Sequence, residues 1–138
     1  MILLPRVLIA MIALLCLSPS ALADGGNASE DLFAKGNELL LQGNLEDAVA
    51  AYDLFLLNDS RNVAALSNKA AALSLMGQFQ EALDLCDQAI EINPQYALAW
   101  SAKGDALTGL GRWDDAISAY DRALEISEAA VTWLNKGV

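Results

Sequence analysis

Residues 63–96 read VAALSNKAAALSLMGQFQEALDLCDQAIEINPQY, and their pattern decides the fold. Leu66, Ala70, Leu73 and Met76 fall at helical spacing and are followed by Gly77-Gln78. Phe79, Ala82, Leu83, Cys86, Ala89 and Ile90 then form a second apolar stripe at the same period. A glycine just past a helix adopts the left-handed cap conformation at little cost. Asn93-Pro94 closes the second helix, because proline disfavours a helical conformation in the residue before it. The stretch therefore predicts two helices of about 14 residues, each a rod of about 21 Å, folded back on each other.

Flanking sequence repeats this unit with a period of 34. Lys35, Lys69 and Lys103 stand at that offset, as do Leu39, Leu73 and Leu107, and Gly43, Gly77 and Gly111. Ala48, Ala82 and Ala116 follow, then Tyr52, Cys86 and Tyr120. Leu45, Phe79 and Trp113 fill a large apolar slot, while Gly36, Ala70 and Gly104 fill a small one. Units of this length cannot bury their apolar faces alone, so they stack into arrays, which mostly bind other macromolecules. The small residues carry a packing meaning. A glycine inside a helix costs about 1 kcal/mol against alanine, so Gly36 and Gly104 predict close approach of a neighbour.

These residues resemble the tetratricopeptide repeat family. The third unit carries the pattern best, with Trp100, Gly104, Leu107, Ala116, Tyr120 and Ala123. The second offers Leu66, Ala70, Leu73, Ala82, Cys86, Ala89 and Pro94; the first offers Leu32, Gly36, Leu39, Ala48 and Tyr52. Departures are Phe55 at a position where a small residue is usual, and Ser60 and Glu128 in the proline slot. The resemblance covers 29–138 and implies an all-α, right-handed α-solenoid of antiparallel helix pairs. It places the units at 29–62, 63–96 and 97–129. Trp133 and Lys136-Gly137 echo Trp100 and Lys103-Gly104 at an offset of 33, which implies a one-residue deletion within 127–131. Residues 130–138 are accordingly expected to be the first helix of an incomplete fourth unit, in a chain that continues beyond Val138.

The N-terminal stretch differs in kind. Arg6 is the sole charge before Asp24, Val7 to Leu17 is unbroken apolar sequence, and Ala21-Leu22-Ala23 forms a small-x-small cleavage site. Residues 1–23 read as a secretory signal peptide, followed by a short linker at 24–28. The alternative is an uncleaved N-terminal membrane anchor. Either implies an extracytoplasmic location: secreted, periplasmic or at the cell surface. Seven of the eight basic and all 18 acidic side chains follow Arg6, a net charge of −11 that opposes nucleic-acid backbones and anionic lipid. With Cys16 inside the signal, Cys86 is left alone, in a slot otherwise filled by tyrosine, and reads as a core filler. Asn27-Ala28-Ser29 and Asn58-Asp59-Ser60 are sequons, so Asn27 and Asn58 are candidate glycosylation sites if the exporting cell glycosylates.

Catalysis is not expected. The chain has no histidine, and no nucleophile stands near a base. Asp84, Asp87 and Glu91 lie on one helical face, yet Asp53, Asp87 and Asp121 recur at the period, which reads as a solvated stripe rather than a metal site. No metal and no cofactor are expected. Within the resembled family the first helices line a concave groove for extended or helical peptides. By position that implies Phe33, Asn37 and Leu40 from the first unit, and Ser67, Asn68, Ala71 and Ser74 from the second. The third supplies Ser101, Asp105 and Thr108. Some members clamp a terminal carboxylate with basic residues, but Phe33, Leu98 and Ala102 occupy those places here, which disfavours a clamp. Asn37 and Asn68 match the clamp's neutral members and are also ordinary repeat residues. The expected function is a non-catalytic protein–protein interaction scaffold with a protein or peptide partner. The alternative is a structural spacer, or the N-terminal module of a longer exported or membrane-anchored protein.

Overall fold

A computed structural model describes residues 27–136. Among the described residues the chain forms six α-helices and no strand. They are α1 (Asn27–Leu41), α2 (Leu45–Asn58), α3 (Val63–Leu75), α4 (Phe79–Ile92), α5 (Ala97–Gly109) and α6 (Trp113–Lys136). Helices α1/α2, α3/α4 and α5/α6 pack as hairpins; α2 packs on α3 and α4 on α5, joining the units. The first helices α1, α3 and α5 stand side by side. The array is an α-solenoid, as the period implies.

Each hairpin turns on one glycine with positive φ: Gly43 at 78°, Gly77 at 80° and Gly111 at 73°. At the middle turn, Gly77 N–H donates to Ser74 O (3.0 Å) and Gln78 N–H to Leu73 O (2.9 Å), satisfying carbonyls the helix leaves free. The other two turns repeat the same pair of bonds. A side chain at these positions would be strained in the left-handed region, which accounts for the glycine period.

The ends of the second helices separate three local chemistries. α4 stops at Ile92, ahead of Pro94. α2 stops at Asn58 without a proline, because Asn62 caps the next helix by accepting from Ala65 N–H at 3.0 Å and donates to Asp59 at 2.9 Å. α6 does not stop. It runs 24 residues through Ser127–Val131, where the 33-residue offset predicts a turn and a new helix. With Glu128 in the proline slot and Ala129-Ala130 following, nothing removes a backbone bond, and alanine is the best helix former. Described residues 130–136 therefore extend α6 instead of opening a fourth hairpin. Likewise Asn27 and Ala28, expected in a linker, begin α1. The expected signal peptide at 1–23, and the rest of the expected linker, lie outside the described residues.

The core follows the small-residue period. Ala48 and Ala82 are fully buried and Ala116 nearly so, letting the two helices of each hairpin touch. Leu73, Cys86, Ala106 and Leu107 share one cluster, and Tyr52, Phe55 and Ala65 another. Gly36 lies under the Tyr52 ring and Gly104 under the Tyr120 ring; a Cβ at either would sit 2.6 Å and 2.5 Å from the ring's Cε1. Those contacts repay the helical cost of glycine. In the second unit the smaller Cys86 makes room for Ala70.

Candidate peptide-binding groove

The groove positions fall on the adjacent first helices, and the structure sorts them. Asn37 and Asn68 meet across the α1–α3 junction. Asn37 Oδ1 accepts from Asn68 Nδ2 at 2.8 Å and from the Tyr52 hydroxyl at 2.7 Å. This three-residue network holds two first helices and one second helix in register. Burial raises the Tyr52 hydroxyl above its ordinary pKa, keeping it a donor. In the third unit Asp105 takes the equivalent place, accepting from the Tyr120 hydroxyl at 2.5 Å. Burial, then the Asp105 hydrogen bond, raise Tyr120 as well.

Three positions that the resemblance implies for the groove also take part in packing. Ser67 is 2 % exposed and spends its hydroxyl on Val63 O at 2.7 Å. α3 is buried on this side because α1 and α5 flank it. Phe33 tilts against Phe55 and Tyr52, with ring centroids 5.3 Å and 6.1 Å away, so it serves the first unit's core. Leu40 packs against that same cluster. Ala71, Ser74 and Ser101 are half-buried and Asp105 is exposed, while half-buried Thr108 donates to Gly104 O at 2.8 Å. The Ser74 hydroxyl is buried without a hydrogen-bond partner among the described residues.

The lysines of the interior first helices point to the second helices instead. Lys69 Nζ lies 2.7 Å from Asp53 and Lys103 Nζ 2.6 Å from Asp87. Asp87 is thereby engaged as an ion-pair partner, and Asp84 accepts from Gln80. Among the described residues no three potential ligands from His, Cys, Asp and Glu gather closely enough to hold a metal. Of the groove positions, Asp105 alone carries a charge, and it is negative. Asn58 ends α2 exposed, at the inter-unit turn; Asn27 begins α1.

How the tyrosine hydroxyls are satisfied goes beyond the helical pattern. The signal was present: Asn37, Ala71 and Asp105 share one repeat position, and Tyr52, Cys86 and Tyr120 another. An acceptor stands wherever the hydroxyl does, and alanine stands where cysteine needs none. Also unanticipated is an open cleft of about 280 Å³ between α4, α5 and α6, bordered by Trp100, Lys103, Arg112 and Asp115.

Comparison with known proteins agrees with this architecture. The tetratricopeptide repeat family model matches residues 61–129. No curated protein matches the chain by sequence at a significant level. Among solved structures, the Sgt2 tetratricopeptide domain from Aspergillus fumigatus is similar at 30% identity and a TM-score of 0.70, covering 73% of this chain and 67% of that one. The first such domain of Spaghetti (RPAP3), bound to the HSP90 peptide SRMEEVD, superposes at 29% identity and 0.68, covering 78% and 88%. The Arabidopsis OM64 domain does so at 26% and 0.69, covering 81% and 98%. Half the chain matched by the family model, three glycine-turned hairpins and these superpositions together place the chain in the tetratricopeptide repeat family.

Proposed function

We propose that this chain is an exported, non-catalytic scaffold that holds an extended or helical peptide segment along α1, α3 and α5. The observation that carries this reading is the make-up of the groove. It offers small, neutral, half-buried side chains and one carboxylate, Asp105, while Lys69 and Lys103 are committed to Asp53 and Asp87. The similar Spaghetti (RPAP3) domain was solved with SRMEEVD, a peptide with three acidic residues. Here Phe33, Leu98 and Ala102 stand where the resemblance puts basic clamp residues. The ligand is therefore a neutral or basic segment, not an acidic C-terminus. Titration calorimetry with SRMEEVD and with a peptide carrying lysine at its three acidic positions tests this. Binding of the basic peptide, weakened by Asp105→Asn, is expected; tighter binding of SRMEEVD overturns the charge assignment.

Export rests on the Arg6, Val7–Leu17 and Ala21-Leu22-Ala23 pattern. No described helix is long and apolar enough to cross a membrane. N-terminal sequencing of secreted material should read Asp24 first. Intact Met1 in a membrane pellet makes the segment an anchor.

A further inference from the structure

Helix α6 carries a face whose counterparts in the preceding units are covered. Ile117 is 58 % exposed, whereas Leu83, one repeat earlier, is 5 % exposed. Leu124 is 60 % exposed, whereas its counterpart Ile90 is half-buried. Helix α5 does the covering: Leu83 clusters with Ala102 and Ala106, and Ile90 packs against Leu66 and Ala99. The same helix brings Lys103 to Asp87 at 2.6 Å. One junction earlier, α3 covers α2 with Ala65 and brings Lys69 to Asp53 at 2.7 Å.

Both junctions thus use one device. The covering helix carries alanines seven apart, Ala65 and Ala72 or Ala99 and Ala106, all fully buried. A lysine stands four residues after the first alanine, and the receiving helix supplies an apolar pair flanking an aspartate. Ile117, Asp121 and Leu124 repeat the receiving half a third time. Among the described residues nothing covers them, and Asp121 has no ion-pair partner. The apolar line continues to exposed Val131, so it extends about 21 Å along α6.

We propose that this face docks a partner helix with small residues seven apart and a lysine four after the first, which pairs with Asp121. A second copy stacked head to tail is a poor occupant. In α1 Lys35 fills the lysine position but is paired with Glu38 at 2.9 Å, and the two alanine slots hold Asp31 and Glu38, which would press two more carboxylates towards Asp121 and out of water.

The probe is a synthetic peptide of residues 96–110, held helical by a covalent staple between positions 101 and 105. Its binding to the full chain is followed by fluorescence anisotropy. Asp121→Lys, or a Lys103→Glu change in the peptide, should each weaken binding roughly five-fold, and the two together should restore it. Ile117→Glu should abolish it, with helix content unchanged by circular dichroism because Ile117 is exposed. Absence of binding at millimolar peptide overturns the proposal, and so does binding indifferent to the charge exchange. Self-association of the chain that Ile117→Glu breaks and the peptide does not displace assigns the face to a second copy and also overturns it.

Discussion

Replacing Gly104 by alanine sets helix propensity against tertiary contact, and the geometry says which wins. An ideal Cβ at residue 104 would lie 2.5 Å from Cε1 and 2.7 Å from Cδ1 of Tyr120. Carbon atoms rest about 3.5–4.0 Å apart, so the ring must withdraw by roughly 1 Å. Overpacking of that size costs about 1–3 kcal/mol. The moving ring also loosens its hydroxyl from Asp105, now 2.5 Å away. Such a bond to a charged group contributes about 1.5 kcal/mol, the lower end applying at an exposed site. Against this, alanine gains about 1 kcal/mol over glycine inside a helix. The expected net loss is about 2 kcal/mol, or about 8 °C in Tm for a domain of this size. Urea and thermal unfolding followed by circular dichroism measure it. In a Tyr120→Cys background the pair becomes the Ala70–Cys86 pair of the second unit, and alanine should then be neutral or stabilising. The coupling between the two sites should reach about 2 kcal/mol. If Gly104→Ala stabilises equally in both backgrounds, the ring-over-glycine reasoning is wrong.

Burial, with a smaller push from the Asp87 charge, raises the Cys86 thiol to about 12. The folded state therefore holds its proton while the unfolded chain releases it near pH 8.5. Stability should fall as pH rises from about 8.5 towards 12, and Cys86→Ala should flatten its onset at a cost of about 1–3 kcal/mol in unfolding titrations. Native thiol labelling should be slow, since Cys86 is fully buried. Tyr52→Phe should cost about 1 kcal/mol, and Asn37→Ala more, because it leaves both Tyr52 and Asn68 without their acceptor. A chain ending at Ile126 should lose less than about 1 kcal/mol, because Ser127 to Trp133 are all exposed. Hydrogen exchange there should be fast; slow exchange would mean this segment is covered.

Much of the fold was legible because its determinants are local. A helical stripe, a glycine that tolerates positive φ and a proline that ends a helix each act within a few residues. Their recurrence at 34 located the hairpin turns at Gly43, Gly77 and Gly111. The same reasoning failed near Ser127. An echo of Trp100 at Trp133 says what residue stands there, but a helix ends only where something breaks its bonds, and Glu128-Ala129-Ala130 breaks nothing.

For the groove, residue type and repeat position said which helix carries a side chain, not how deeply it is buried. Ser67 and Asn68 are neighbours of similar polarity, yet one is sealed inside and the other joins the Asn37 network. That difference comes from which side of α3 its neighbours in the stack cover. The sequence by itself determined the repeat, the turns and the small-against-large pairing. Only the tertiary structure decided which lysines are tied to aspartates, which groove positions reach solvent and which apolar face is left uncovered. Each of those depends on a neighbour about 15 to 35 residues away, beyond the reach of local propensity.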